Sequence, residues 1–512
     1  MYSRVLTAGL YGLDCEVTWA EVDCSNGLPR FIIVGLANQS VKEASERIHS
    51  AVLNCGFDFP PKRVAVNLTP ANVKKDGSHY DLAIALGLLI STGQVKDMDN
   101  ITDHTAFFGE LTLDGKIGRV EGILPMAISL QKEGIKQLVI PAANLEEAML
   151  VKGLSLYPVS SLREVTDILE KLSAEVPFTA DGIADRGTDR LIPDFADIRG
   201  QDSVKRAAQI AAAGMHAMLM IGPPGVGKSM IGKRIAGILP PMSYDEQLET
   251  TKIYSVAGEL NEKLPMVCER PYRAPHHNIS ASALTGGGSR PRPGEISLAH
   301  GGVLFLDELP EFAPGTLDTL RQPLEDGFVS ITRVNGKCVY PSRFMLVAAM
   351  NPCRCGYFGD PVRPCSCTES DRRRYVGKVS GPLLDRIDIN VVLERLPYED
   401  ISGSSDMCGL SSAELRRGVE NAFAMQKARF KGLALDYNSQ LTPVMIQEHC
   451  KLNDACEKLM RDAFRKWSLS ARAYHRILRV ARTIADTGCE ENIREEHVLE
   501  ALSYRLPEKY FG

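Results

Sequence analysis

No stretch of this 512-residue chain approaches the ~20 consecutive apolar residues needed to cross a bilayer. The opening Met1-Tyr2-Ser3-Arg4-Val5-Leu6 also lacks the apolar core and small-residue cleavage site of a secretory signal. These two absences lead to an expected cytoplasmic location with no membrane partner. Thiols stay reduced there, so the 13 cysteines are not read as a disulfide framework, and local clusters of them become candidate metal sites. An excess of basic residues is missing too. The formal charge of −5 argues against a basic coat over the whole surface, while a local basic channel remains compatible with it. Internal repeats and low-complexity tracts are absent. What remains is the composition of ordinary soluble domains, 44% apolar and 24% charged, in a chain long enough for roughly two to four of them.

Residues 217–240 organise the rest. Ala217-Met218-Leu219-Met220-Ile221 reads as a short buried strand that runs into Gly222-Pro223-Pro224-Gly225-Val226-Gly227-Lys228-Ser229. A helical pattern through Ile231, Ile235 and Ile238 follows and stops at Pro240-Pro241. This is the G-x-x-x-x-G-K-[ST] phosphate loop, with a strand before it and a helix after it. Its glycines let backbone N–H groups close on phosphate oxygens, and the helix N-terminus adds partial positive charge. Lys228 is placed to reach the β- and γ-phosphates and the Ser229 hydroxyl to join Mg²⁺. ATP and Mg²⁺ are the expected cofactors.

Patterning on either side predicts an α/β protein. Residues 1–172 alternate strand-like runs (31–35, 64–68, 137–140) with apolar residues at helical spacing (41–53, 80–89), giving an α+β domain. Residues 173–194 turn polar and rich in Gly and Asp with no sustained period, and are expected to be a linker. Strands and helices alternate around the phosphate loop over 195–400, as in a parallel α/β sheet. After the loop Ser402-Gly403-Ser404-Ser405-Asp406, helical patterns fill the region 401–512.

Within the central part, Gly302-Val303-Leu304-Phe305-Leu306-Asp307-Glu308 is a buried strand ending in two carboxylates. Ligands of open α/β sheets gather at the carboxyl ends of the strands. Asp307 would then hold Mg²⁺, directly or through water, and Glu308 would orient and deprotonate the attacking water. A second apolar run, 344–350, ends at Asn351, whose amide is suited to placing that water. Ser380-Gly381-Pro382-Leu383-Leu384-Asp385-Arg386-Ile387-Asp388 presents Arg386, either as a finger toward a neighbouring subunit's γ-phosphate or as the partner of Asp385 or Asp388. Cys353-Arg354-Cys355 and Cys365-Ser366-Cys367 are two C-x-C pairs nine residues apart, suited to a tetrahedral structural Zn²⁺ or else four free thiols. Arg372-Arg373-Arg374 follows, facing nucleic acid or forming a solvated charge run. His276 and His277 have no second ligand pair at metal spacing and are read as structural. Strands 329–332 and 338–340 flank a turn with Asn335-Gly336, a strong hairpin signal, with Arg333 and Lys337 near its tip, either facing phosphates or forming a solvated turn.

Taken together, these residues resemble the YifB/ComM family of magnesium-chelatase-like AAA+ ATPases. Further segments carry the resemblance: Arg273-Ala274-Pro275-His276-His277, Gly286-Gly287-Gly288, Pro293-Gly294-Glu295-Ile296-Ser297-Leu298-Ala299-His300 and Leu320-Arg321-Gln322-Pro323-Leu324-Glu325-Asp326-Gly327. It covers essentially the whole chain. It implies a P-loop AAA+ core with a helical C-terminal lid, a homo-hexameric ring, ATP hydrolysis between subunits and, for ComM-like members, motion along branched DNA. By motif it makes Asn351 sensor 1, Arg386 the arginine finger and Arg472 sensor 2, with Arg476 as an alternative for the last. It also makes the 329–340 hairpin a pre-sensor-1 element that points into the pore, where six copies would form a basic collar for DNA, and residues 285–299 a second insertion. The N-terminal domain resembles the Lon proteolytic domain (ribosomal S5 domain 2-like) through Lys75-Asp76-Gly77-Ser78-His79-Tyr80-Asp81 and Phe108-Gly109-Glu110-Leu111-Thr112-Leu113-Asp114-Gly115. Its nucleophile position falls on His79 and its lysine position near Leu124, so neither half of a Ser–Lys dyad is in place. The resulting expectation is an ATP-driven DNA motor, for helicase or branch-migration work in recombination or natural transformation. A protein-remodelling or metal-chelatase-type ATPase is the alternative.

Overall fold

The computed structural model describes residues 2–36, 38–71, 75–171, 176–179, 193–260, 264–288, 291–333, 336–396, 410–433, 435–505 and 510. The chain opens with two long antiparallel strands, β1 (Tyr2–Tyr11) and β2 (Asp14–Ser25). With β3 (Arg30–Val34), β4 (Arg63–Thr69) and β5 (Thr105–Phe107) they build five strands of an eight-stranded mixed sheet; β6 (Glu110–Leu111) and β7 (Ile117–Gly118) form a small separate hairpin. The strands β8 (Gln137–Pro141), β9 (Ser155–Val159) and β10 (Phe178–Thr179) complete it, in the order β10-β9-β8-β5-β1-β2-β4-β3. The helix Asp81–Ser91 is buried on nearly every face, with Leu82, Ile84, Leu86, Leu88 and Leu89 at 0% exposure. An all-round apolar helix of this kind is found at the centre of a domain rather than on its surface. Here it packs on β1 and β2. Part of the expected linker departs from expectation: Phe178 and Thr179 pair with Leu156 and Ser155 as an edge strand. Residues 180–192 lie outside the described residues, as does the 402–406 loop.

The central domain is a five-stranded parallel sheet in the order β12-β15-β18-β11-β19. Its members are β11 (Met218–Ile221), β12 (Tyr272–Arg273), β15 (Val303–Leu306), β18 (Met345–Met350) and β19 (Ile389–Val392). Two short hairpins stand off it, β13 (Gly286–Gly287) with β14 (Arg292–Pro293), and β16 (Phe328–Arg333) with β17 (Gly336–Pro341). The strands β11, β15 and β18 are buried throughout, as continuous apolar runs covered on both faces must be. Helices fill the C-terminal part. Ser411, Thr442, Asn453 and Ser470 each accept a first-turn backbone N–H at the start of a helix, the side-chain cap that fixes where helices begin. The longest apolar face there belongs to Ala471–Thr487, which packs on Asp202–Gly214 of the central domain and on Ser412–Arg429.

The N-terminal domain is docked on the central one by a buried carboxylate. Glu147 accepts from Arg119 Nη2 (2.9 Å), Asn144 Nδ2 (3.0 Å) and the Leu124 N–H (3.1 Å) in its own domain. It accepts also from the Ser255 hydroxyl (2.5 Å) on the helix Tyr244–Ala257 across the interface. Nearby, Arg292 pairs with Glu121 at 2.8 Å, and the β1–β2 turn packs on β17, where a Cβ on Gly12 would lie 3.3 Å from Cys338 Cβ. Replacing Glu147 by Ala strands Arg119 and three donors, and is expected to cost ~3 kcal/mol or more. Ser255→Ala removes one hydrogen bond and is expected to cost ~1 kcal/mol. Denaturant unfolding of the two variants should rank them in that order.

Candidate nucleotide site

Parallel register collects the chemistry at one edge of the sheet. Ile221 pairs with Met350, and Leu306 with Ala348, so the phosphate loop, Asn351 and the Asp307–Glu308 pair all emerge on the same side. The loop turns through positive φ at Gly225 (84°) and Gly227 (92°), angles that side chains other than glycine's resist. The helix Lys228–Ile235 follows directly, and the first-turn N–H groups of any helix lack a partner inside it. That donor set suits a phosphate.

The side chains at the loop are held by one another. Lys228 Nζ donates to the carbonyls of Gly222 (2.6 Å) and Pro223 (2.9 Å) and to Asn351 Oδ1 (3.0 Å). Burial pushes its pKa down to about 8. Ser229 Oγ donates to Asp307 Oδ2 at 2.6 Å, so the two oxygens expected to share Mg²⁺ already face each other. The Glu308 N–H donates to Asp307 Oδ1 at 2.9 Å. Glu308 itself sits at φ 54°, a left-handed conformation that costs a non-glycine residue ~1–3 kcal/mol and is characteristic of functional sites. Its carboxylate lies 3.3 Å from His277 Nδ1. Histidine 277 was expected to be purely structural from sequence; pairing of β12 with β15 instead brings it to the site.

Arg386 and Arg472 lie elsewhere. Both line a cavity of 580 Å³ with Met215, Ala217, Phe344 and Asp388, residues that precede β11, β18 and β19. This is the opposite edge of the sheet, a strand length or about 13 Å from the phosphate loop. Arg386 donates to the Pro382 carbonyl (2.6 Å) and pairs with Glu325, not with the expected alternatives Asp385 or Asp388, and its Nε is buried with no hydrogen-bond partner among the described residues. Arg472 is exposed at the start of its helix. Arg476 donates to the Ile387 carbonyl at 2.8 Å, and burial lowers its pKa. The two arginines thus differ in setting, Arg476 bracing a backbone carbonyl and Arg472 exposed at the first turn.

Three profiles of one ATPase type tile the chain. "Magnesium chelatase, subunit ChlI" matches residues 194–401, "Subunit ChlI of Mg-chelatase" matches 20–144, and "Magnesium chelatase, subunit ChlI C-terminal" matches 409–505. Competence protein ComM of Haemophilus influenzae is 42% identical over 498 residues, 96% of this chain and 95% of that one. YifB of Escherichia coli is 39% identical over 505 residues, 98% and 97% of the two chains. The chain belongs to the YifB/ComM family of magnesium-chelatase-like AAA+ ATPases. A more distant relative, the chloroplastic magnesium-chelatase subunit ChlI of Chlamydomonas reinhardtii, is 24% identical over 309 residues, 54% of this chain and 72% of that one.

In this YifB/ComM chain the residues of the Lon-like signature have other partners. Ser78 Oγ donates to Glu110 Oε2 (2.5 Å), His79 Nε2 meets the Ala8 carbonyl at 3.0 Å, and Leu124 is buried and apolar. The cysteines do converge: the sulfurs of Cys353, Cys355, Cys365 and Cys367 all lie within 4.8 Å of one another. Lys337 is exposed on β17 opposite Thr332. The side chain of Arg333 and residue Asn335 lie outside the described residues. No helix among those residues is long and apolar enough to cross a membrane.

The depressed Lys228 has a pH signature. Between about pH 8 and 10.5 the unfolded chain keeps a proton that the folded chain has released, so this lysine's contribution to stability rises with pH across that window. A bound anion restores the proton. Calorimetry at about pH 9 in buffers of different ionisation enthalpy should show proton uptake on ATP binding, nearly absent at about pH 7. Buffer-independent heats at both pH values would place the proton elsewhere.

Proposed function

We propose that the chain is a Mg²⁺-dependent ATPase that works as a homo-hexameric ring motor on branched or single-stranded DNA in the cytoplasm. The observation that carries the ring is the separation of Lys228 and Glu308 from Arg386 and Arg472 across the sheet. A single copy cannot bring both sets to one phosphate, whereas a neighbouring copy presenting its Arg386 edge completes the site. When bound, ATP with Mg²⁺ supplies the phosphoryl group that is transferred to water. Gly225, Gly227 and Lys228 would hold the phosphates, and Ser229 and Asp307 the ion. Glu308 would take the proton from the attacking water, held ready by His277, while Asn351 would orient that water.

DNA as the substrate draws support from the 42% identity to a competence protein and from the hairpin's exposed Lys337. A structural Zn²⁺ on Cys353, Cys355, Cys365 and Cys367 is part of the same reading, supported by the convergence of four thiols. The matches to magnesium-chelatase subunits favour a second reading, a protein-remodelling or metal-chelatase-type ATPase.

Two experiments decide. Glu308→Gln and Arg386→Ala should each lose turnover by orders of magnitude, since arginine fingers contribute about 10³–10⁵. Mixed rings hold some interfaces with both groups intact, so activity should partly recover on mixing; no recovery at any ratio argues against a shared site. For the substrate, ATPase should rise with forked DNA. The double change Arg333→Ala with Lys337→Ala should weaken DNA binding similarly across sequences and flatten its salt dependence, leaving DNA-free ATPase intact. An ATPase indifferent to DNA in the parent favours the remodelling reading.

A further inference from the structure

The cysteine loop is built onto the phosphate loop. Cys353 follows the water-orienting Asn351 by two residues and is fully buried. Its sulfur lies 3.3 Å from that of Cys355 and 3.6 Å from that of Cys365, and Cys355 and Cys365 are 3.6 Å apart. A tetrahedral Zn²⁺ with ligands at about 2.3 Å sets its sulfurs about 3.8 Å apart, so the cage needs only slight expansion to admit the ion. Between the two C-x-C pairs the chain doubles back through Gly356, at φ 85°. There the backbone lies directly against the phosphate loop: a Cβ at 356 would stand 2.7 Å from Pro224 Cδ and 3.9 Å from Asn351 Cγ.

The far end of the loop is fastened as well. Arg372 donates to the Cys367 carbonyl at 3.1 Å and lies over the Phe358 ring at 4.2 Å. Its helix, Glu369–Val376, starts at a capping box on Thr368 and ends in Tyr375 and Val376, which are buried in one cluster with Ile221 and Met350. Those two are the last residues of the strands that deliver the phosphate loop and Asn351. Residues 351–376 therefore leave the site, pass through four thiols and return beneath it. A tie at the thiols fixes the position of everything between.

We propose that this cage holds Zn²⁺ and that the metal positions the phosphate loop and Asn351, so that nucleotide affinity depends on its presence. The inference rests on the nucleotide and zinc readings above and adds the link between them. The link has a steric handle, because Gly356→Ala pushes on Pro224 and strains a turn held at φ 85° while leaving all four thiols in the chain.

The test uses the full-length chain carrying Glu308→Gln, which allows binding to be read without turnover. Zinc is measured by atomic absorption, and binding of a fluorescent ATP analogue by titration. The parent should hold about one zinc per chain. Cys365→Ser with Cys367→Ser should release it and weaken nucleotide binding on the order of tenfold or more, as small misplacements in a site do. Gly356→Ala should keep its zinc and still lose affinity, which makes it informative even where the cysteine variant fails to fold. Parental affinity in a folded zinc-free protein, or in zinc-loaded Gly356→Ala, would overturn the link. A parent without zinc would overturn the metal. A zinc-loaded parent that binds no nucleotide would overturn the nucleotide reading itself, and the zinc content tells these failures apart.

Discussion

The register of three buried parallel strands is the constraint on which the remaining structure depends. Because β11, β18 and β15 run side by side with Ile221 beside Met350 and Leu306 beside Ala348, three stretches far apart in sequence end in one place. A slip of one residue in any strand would turn its buried side chains to the opposite face. The core that covers both faces, from Ile231 and Phe305 on one side to Leu219 and Leu304 on the other, forbids that slip. Geometry of the Lys228, Asp307 and Asn351 contacts is thus a consequence of apolar packing rather than of the polar contacts themselves. These polar groups meet because the strands leave them no other position.

The same sheet separates two kinds of group. Its carboxyl edge gathers the donors and acids, and its amino edge gathers Arg386, Arg472 and Arg479 about one cavity, with Arg479 3.8 Å from Asp388. The helix Ala471–Thr487 brings the last two of these arginines there by packing on Asp202–Gly214. His216, fully buried beneath this edge, joins Asp388 at 2.8 Å and Thr483 at 2.8 Å, locking the helical domain to the sheet at the point where the arginines project.

Short-range chemistry was legible in the sequence and long-range packing was not. The phosphate loop, the Asp307–Glu308 pair and the C-x-C pairs each carry their pattern within a few residues: the loop joins its strand to a helix, the acids close a strand, and the four sulfurs converge. The β1–β2 hairpin was not foreseen. In β1 the central residues Val5, Leu6, Thr7 and Ala8 are all buried, so the alternation that betrays a half-exposed strand is missing there and appears only in β2, where Thr18, Ala20, Val22 and Cys24 face inward. His277 stands 31 positions from Glu308 and meets it only because β12 lies next to β15. For the same reason no local signal separates Arg472 from Arg476: one residue per turn points into the cavity and the other into the backbone of Ile387. The edge strand Phe178–Thr179 hid in a polar stretch because two residues are too few to show any period.

The docking of the β1–β2 turn on Cys338 has a mechanical meaning. The root of the β16–β17 hairpin shares a buried cluster with Leu10, Tyr11 and Leu13 of the N-terminal domain, and Tyr340 on that root donates to the Pro291 carbonyl of the neighbouring insertion. Close-packed side chains transmit displacement instead of absorbing it. A tilt of the hairpin must therefore either carry some 170 residues of N-terminal domain with it or shear the Gly12–Cys338 contact. The N-terminal domain is thereby tied to the hairpin root by direct side-chain packing.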